Sequence, residues 1–258
     1  MVLYFTAMGN SLYVAKRLDE KPISIPQIIN GGSPEFKASA IGVVFPIYCA
    51  EPPKSVKEFL KKAAFQTDYL YFVMTYGKHD CDCPEWTARF CEKSERKPDY
   101  IATVKMVDNY LPAFDMNEQT AIDKNVDGQL SAIIKAVSER QKGVPIATKN
   151  GVKLHKLVAL MNRIMPGFNN GKRLKMLNDK CTGCGICTKV CPVGNIKIEN
   201  DGKAKRKERV CEFCLACIQL CPRKAIGIKP DKNKNARYKN PNITLEEIIE
   251  ANWEKPKA

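Results

Sequence analysis

Eight of the chain's twelve cysteines fall in two copies of one spacing rule, and that rule limits what residues 181–222 can become. Cys181, Cys184, Cys187 and Cys191 are followed by Pro192; Cys211, Cys214, Cys217 and Cys221 are followed by Pro222. Each copy reads C-x2-C-x2-C-x3-C-P. Two-residue gaps in a tight loop let three sulfurs converge, while a fourth has to arrive from elsewhere. The proline blocks continuation of any preceding regular element. The repeat extends beyond the cysteines: thirty positions apart, Ile196 aligns with Ile226 and Ile198 with Ile228. One supersecondary unit is therefore present twice, and neither half could bury much surface alone. The stretch from Asp201 to Lys207 reads as a basic turn between the halves.

This spacing is the run that wraps cubane [4Fe-4S] clusters in bacterial two-cluster ferredoxins, where the last cysteine of each run serves the other cluster. The expected ligand sets are Cys181, Cys184, Cys187 and Cys221 for one cluster, and Cys211, Cys214, Cys217 and Cys191 for the other. Structural zinc is the rival, but four-cysteine zinc sites place two C-x2-C pairs across a longer gap. Disulfides fit such crowded thiols less well in a reducing cell. Ile186, Val190, Phe213, Leu215 and Ile218 would shield the clusters from water, and such shielding tunes their potential. Electron transfer is the function this half implies.

At 258 residues the chain has room for two domains. Charge divides unevenly: residues 1–150 hold 19 Lys and Arg against 18 Asp and Glu, and residues 151–258 hold 23 against 10. Two thiolate-ligated [4Fe-4S] units bring about −2 each, so part of the basic excess offsets its own cofactors. The rest suits an acidic redox protein, or else a small-molecule electron acceptor. Nucleic acid is not expected as a partner, because few aromatics interleave with the basic residues and no recognition helix is evident. No secretory signal opens the chain and no apolar run reaches the ~20 residues of a membrane span. A soluble, cytoplasmic protein is expected, of unassigned oligomeric state.

The first half alternates strand-like and helix-like segments. Apolar runs occur at 2–5, 40–45, 69–74 and 100–106, with a shorter one at 22–25. Helical spacing marks 11–20, 54–63, 84–97 and 129–140. Near-continuous apolar strands separated by crossover helices predict a buried, doubly wound parallel sheet. With five strands the flavodoxin-like α/β order 2-1-3-4-5 follows, joined to a small α+β ferredoxin-like domain with two [4Fe-4S] clusters. The expected division is 1–145 for the flavodoxin-like domain, 146–176 for a linker, 177–230 for the ferredoxin domain and 231–258 for a C-terminal extension.

Such sheets bind ligands beyond the carboxyl ends of their strands. The loop after the first strand, Thr6-Ala7-Met8-Gly9-Asn10-Ser11, enters a helix and offers backbone N–H donors to an anion. It is neither a Walker loop nor a dinucleotide fingerprint. A single phosphate, as in FMN, suits it best; simple helix capping by Asn10 or Ser11 is the bland alternative. Pro46, Tyr48 and Cys49 follow the third strand, and Thr75, Tyr76 and Gly77 the fourth. Tyr48 and Tyr76 could flank a flat ring.

With these residues in view, the chain resembles the flavodoxin-ferredoxin fusion family. Tyr4 to Leu12 is similar to that family's phosphate loop; Phe45-Pro46-Ile47-Tyr48, Thr75-Tyr76-Gly77 and Asp108-Asn109-Tyr110 are similar to its cofactor-edge loops; Arg237-Tyr238-Lys239-Asn240-Pro241 is similar to its closing segment. The resemblance implies FMN beside two [4Fe-4S] clusters. Met8 departs from the family's loop, which usually carries a hydroxyl there, so one phosphate-holding group is missing.

Cys49, Cys81 and Cys83 read as unligated thiols and Cys91 as a small buried apolar residue. In the linker, Leu154, Leu157, Val158, Met161 and Ile164 recur at helical spacing. With Lys153, Lys156 and Arg163 on other faces, such a basic amphipathic helix can lie on a membrane surface; packing across the domain junction is the expectation, with His155 on the surface. An electron carrier linking clusters to FMN is the leading expectation. A flavin-dependent reductase with His79 or Lys78 as proton donor is one alternative; a ferredoxin with a flavin-free docking domain is the other.

Overall fold

Near-continuous apolar runs in the first half become the strands of one parallel sheet. The computed structural model describes residues 1–29, 33–92, 97–165, 170–207 and 210–253. The first half runs β1 (Val2–Tyr4), α1 (Asn10–Leu18), β2 (Ile23–Ser24), α2 (Ile25–Ile28), β3 (Glu35–Lys37), β4 (Ile41–Pro46), α3 (Lys54–Lys62), β5 (Ala64–Gln66), β6 (Leu70–Tyr76), α4 (Cys83–Glu92), β7 (Tyr100–Lys105), α5 (Met116–Ala121) and α6 (Val126–Ser138). The second half continues with α7 (Lys149–Ile164), β8 (Lys175–Met176), α8 (Ile186–Lys189), β9 (Ile196–Ile198), β10 (Ala204–Arg206), α9 (Ala216–Gln219), β11 (Ile226–Gly227) and α10 (Leu245–Asn252).

The main sheet is β2-β1-β4-β6-β7, parallel throughout. Ile23, Leu3, Val43, Phe72 and Ile101 form one row across it. Side-chain alternation divides the strands between two cores. Leu3, Val43, Phe45 and Phe72 meet Val56, Phe59 and Leu60 of α3 and Ala88 of α4. Val2, Tyr4, Val44 and Val73 lie in a second core with Leu12 and Val14 of α1 and Leu130 of α6, and this core continues into Val190, Ile196, Ile218 and Ile226 of the second half. The two halves thus share one apolar interior.

A separate parallel pair, β3 with β5, was not expected. Each strand is three residues long, and the clearest apolar signal in each is one aromatic: Phe36 stacks on Phe65 with ring centroids 6.0 Å apart. The expected helix over 84–97 is α4, which begins at Cys83; its continuation through 93–96 lies outside the described residues.

The thirty-residue repeat is realised in backbone geometry. Helices α8 and α9 occupy matching positions, as do the starts of β9 and β11. Gly183 and Gly185 have φ of 70° and 74°; their counterparts Phe213 and Leu215 have 54° and 62°. Both cysteine loops need the left-handed conformation at the same two places, which glycine adopts freely and Phe213 and Leu215 adopt at a cost of order 1 kcal/mol each.

The linker helix corrects two expectations. His155 is buried, not on the surface. Its Nδ1 bonds Asp82 and its Nε2 lies 3.4 Å from Glu51 Oε1. Trp86 meets its ring edge-on. Gly151 lets the helix approach closely, since a Cβ there would sit 2.8 Å from the Cys81 carbonyl oxygen. The face of α7 turned to the body is therefore centred on Gly151 and His155. Leu157 and Ile164, expected at the junction, are 54% and 68% exposed. His155→Ala removes the hydrogen bond to the buried Asp82 carboxylate, leaving it only the looser pair with Arg89 (3.8 Å), and should cost about 1–3 kcal/mol. Hydrogen exchange should rise first along α7, and unchanged α7 protection would contradict this anchoring role.

The C-terminal segment closes the molecule. Helix α10 opens with a capping box, in which Glu247 N donates to Thr244 Oγ1 (3.2 Å) and Thr244 N to Glu247 Oε2 (2.7 Å). It lies on α2, where Ser24 Oγ donates to the Ala251 carbonyl, and Lys16 pairs with Glu247.

Candidate iron-sulfur centre

Two cavities mark the second half. One is lined by Cys181, Cys184, Cys187 and Cys221 with Ile186, Ile198, Ala204 and Ile226. The other is lined by Cys191, Cys211, Cys214 and Cys217 with Val193, Ile196, Phe213 and Leu215. The last cysteine of each run lines the cavity of the other run. Residues expected to shield the site divide between the cavities, while Val190 and Ile218 lie in the core behind them.

The chain prepares these sulfurs for negative charge. Four receive backbone N–H donors: Cys191 from Asn195 (3.2 Å), Cys221 from Ala225 (3.2 Å), Cys181 from Ala204 (3.4 Å) and Cys211 from Phe213 (3.3 Å). Asn195 and Ala225 are related by the repeat, as are the turns that aim them. Without a cation the thiols resist ionisation. Burial pushes Cys187 up to about 12, and the Cys221, Cys181 and Cys184 sulfurs push it the same way. Burial raises Cys214 and Cys217 well above the usual thiol range, with Cys191 and Cys211 adding. Such thiols become thiolates against a strong local cation, which a metal centre supplies.

The donor set fits an extended cluster better than a lone ion. Among the described residues no three Cys, His, Asp or Glu side chains are gathered so as to hold one metal ion. A tetrahedral zinc with ~2.3 Å bonds needs its sulfurs drawn together around a point. No disulfide joins any of the twelve cysteines.

The second cavity faces the sheet. Glu212, between Cys211 and Cys214, accepts from the backbone N–H groups of Lys54 (2.8 Å) and Ser55 (2.7 Å) at the start of α3. A carboxylate on a helix N-terminus is favoured by the unpaired N–H groups and the helix dipole. Tyr110 meets Phe213 edge-on with centroids 6.3 Å apart, and the Arg173 guanidinium lies 5.7 Å from the Phe213 centroid. Burial lifts the Tyr48 hydroxyl well above its ordinary value, and the nearby Cys214 and Glu212 add to the effect. The cysteine loop is thus fastened onto the carboxyl edge of the parallel sheet, where such folds receive ligands. Glu212→Gln keeps the shape and removes the charge. It should cost about 1–2 kcal/mol in thermal unfolding, the margin between charged and neutral hydrogen bonds; a variant as stable as the parent would contradict the docking role.

The expected FMN residues are brought to the same edge, but the phosphate loop is already occupied. Thr6, Ala7, Met8, Gly9 and Ser11 are buried. Gly9 N donates to Thr6 Oγ1 (3.1 Å), and the Ser11 and Thr75 hydroxyls bond each other at 2.9 Å. Asn240 N donates to the Met8 carbonyl (2.9 Å). Asn10 Oδ1 accepts from the Tyr238 hydroxyl (2.6 Å) and from Asn240 Nδ2 (3.1 Å). Gly9 N and the Thr6, Ser11 and Thr75 hydroxyls are thus engaged within the protein, and the C-terminal segment lies against the loop. Tyr48 does not stand as one side of a ring clamp with Tyr76: it packs edge-on to Phe5 and lies beside Cys214. Pro46 and Gly77 are partly buried and Cys49 is exposed, on a turn where Cys49 and Ala50 have φ of 51° and 68°. Lys78 N is engaged by Asp108 (2.9 Å).

Sequence reasoning missed Glu212 and Gln219. Gln219 donates to the Asn109 carbonyl (3.0 Å) and accepts from Tyr238 N (2.9 Å), tying the second cysteine run to both the sheet edge and the closing segment. No local pattern announces either residue.

Fold and cavities together define an α/β sheet carrying a dicluster iron-sulfur module. A family model described as a 4Fe-4S dicluster domain matches residues 173–237. A ferredoxin of Methanothermococcus thermolithotrophicus is 40% identical over 53 residues, covering 20% of this chain and 88% of that protein. An uncharacterized ferredoxin of Methanocaldococcus jannaschii is 38% identical over 68 residues, 23% of this chain and 88% of its own length. A component of an ion-translocating oxidoreductase complex from Methanosarcina acetivorans is 36% identical over 62 residues, 24% of this chain and 23% of that component. Through residues 173–237 the chain belongs to the 4Fe-4S dicluster ferredoxin family. Iron-sulfur electron transfer is the function these relationships support. Among the described residues no helix is long and apolar enough to cross a membrane.

Proposed function

We propose that this protein transfers single electrons through two [4Fe-4S] clusters, one held by Cys181, Cys184, Cys187 and Cys221 and the other by Cys211, Cys214, Cys217 and Cys191. The observation that carries the reading is the exchange of the last cysteine between cavities. Bound there, the clusters supply one-electron redox chemistry. The chain's own part is to donate N–H groups to the sulfurs, to exclude water with Ile186, Phe213 and Leu215, and to balance charge with its basic second half. The Cys191 set faces the sheet edge through Glu212, Phe213 and Tyr110. The other set includes the exposed Cys184 and is the side open to a partner. An acidic redox protein is the partner class that the basic surface suits.

The first half, proposed as a domain over 1–145 ahead of a linker at 146–176, a cluster domain at 177–230 and an extension at 231–258, is read as flavodoxin-like. Counting only the strands of the main sheet in chain order, its arrangement is 2-1-3-4-5. The carrier with FMN, the carrier without it and the flavin-dependent reductase differ in what that half holds. The occupied phosphate loop favours the flavin-free form, a sheet that docks and buries the cluster module. Anaerobic purification with iron, sulfide and flavin analysis tests this. About eight iron and eight sulfide per chain without flavin is the expected result. About two zinc without sulfide overturns the cluster reading. One FMN per chain restores the flavin forms and requires the Tyr238–Ile243 segment to sit differently.

A further inference from the structure

The face of α7 turned away from the body is unlike the rest of the surface. Leu157, Leu160 and Ile164 recur at intervals of three and four residues, and all are more than half exposed. Met165 at the helix end is 45% exposed, and Ile146 just before the helix is 89% exposed. Lys149, Lys153, Lys156 and Arg163 are exposed on the same helix. The surrounding chain carries no opposing charge: from Arg140 to Asn178 there are nine Lys and Arg residues and no Asp or Glu. The opposite face is fixed by His155 and Gly151, so the stripe is held outward rather than left behind by a loose helix.

We propose that α7 is a membrane-surface docking element: it lies flat on an anionic lipid bilayer, Leu157, Leu160 and Ile164 entering the headgroup–acyl boundary while the lysines contact lipid phosphates. The outward arc of α7 interleaves Leu and Ile with Lys and Arg, so one face offers apolar side chains to the acyl boundary and cations to anionic headgroups together. Long cationic side chains reach the headgroups while their stems cover apolar surface. The charge pattern selects the occupant. A second copy of the chain would bring the same uniformly basic helix and be repelled. A protein groove is the poorer match, because interface anchors are typically Trp, Tyr and Arg, whereas this stripe is Leu, Leu, Ile and Met. The helix lies on the membrane and does not span it, which agrees with its sixteen-residue length. Docking would hold the clusters beside membrane-bound redox partners, a role beyond electron transfer itself.

The test is cosedimentation of the full chain, clusters intact and prepared anaerobically, with two kinds of vesicle: pure phosphatidylcholine, and equal parts phosphatidylcholine and phosphatidylglycerol. Binding is expected to the anionic vesicles only, and to fall as salt rises. Leu160→Glu with Ile164→Glu should weaken it about tenfold or more, and Lys156→Gln about fivefold. Lys135→Gln, an exposed site on α6, which packs against the opposite face of the sheet from α3 and α4, should leave it unchanged. All these substitutions are at exposed sites, and unchanged cluster absorption verifies folding. Equal binding to both vesicles, no binding to either, or parent-like binding by the Leu160/Ile164 variant overturns the proposal. A dimer in solution that the same variant dissolves overturns it too.

Discussion

Cys221→Ala should strip iron from a cavity whose other three cysteines lie some thirty-five to forty residues earlier in the chain. Iron should fall from about eight to about four per chain, with one cubane remaining. The thiols released should be Cys181, Cys184 and Cys187. Alkylation of the anaerobic protein followed by mass spectrometry reads this directly: those three should be labelled, while Cys211, Cys214 and Cys217 stay protected. Cys191→Ala should give the reverse pattern. If Cys221→Ala instead exposes its own run, the ligand sets follow the sequence and the exchange between cavities is wrong. The cavity linings decide the expected direction, since Cys221 lies with the first run and Cys191 with the second. Stability should fall as well, because a bound centre contributes to folding.

Gly9→Ala should loosen the closing segment from the loop it covers and lower stability markedly. Gly9 has φ of 94°, and an added Cβ would meet Asn240 Cβ and Ile243 Cβ at 3.0 Å. The left-handed backbone costs a side chain of order 1 kcal/mol, and the crowding about 1–3 kcal/mol more. Together about 2–4 kcal/mol should be lost from the contact between loop and closing segment. Thermal unfolding measures the total. Limited proteolysis between residues 231 and 244 measures the local effect, which should appear before the sheet unfolds. A variant with parent-like stability and protease resistance would show that the segment does not sit on the loop. Flavin content reads the other consequence. If the closing segment alone excludes FMN, loosening it should admit some; continued absence would place the fault in Met8 and the paired Ser11 and Thr75 hydroxyls.

Much of the fold was legible in one dimension because its signals are local. Runs such as Ile41–Pro46 and Leu70–Tyr76 are apolar on both faces, as a strand buried between helix layers must be. The pair β3 and β5 was not legible, since three residues around one phenylalanine resemble any loop. The FMN expectation shows the limit of a motif. Thr6 to Ser11 has the length, glycine and hydroxyls of a phosphate loop. In the folded chain that loop meets Tyr238 and Asn240, more than two hundred residues away, and no local pattern announces them. His155 fails in the same manner: on a helix rich in lysine it reads as surface, and only the approach of Asp82 and Glu51 makes its burial tolerable.

The cysteine spacing by itself determined the chemistry, because reach and angle within a short loop leave few other uses for three thiols at two-residue gaps. Periodicity by itself determined a parallel sheet with helices on its faces. Tertiary structure alone decided which face of α7 turns outward, which cysteine set meets the sheet, and what fills the loop at Gly9. Each of those depends on contacts between segments far apart in the chain, and burial energies belong to both partners of a contact, so neither segment's sequence contains the answer.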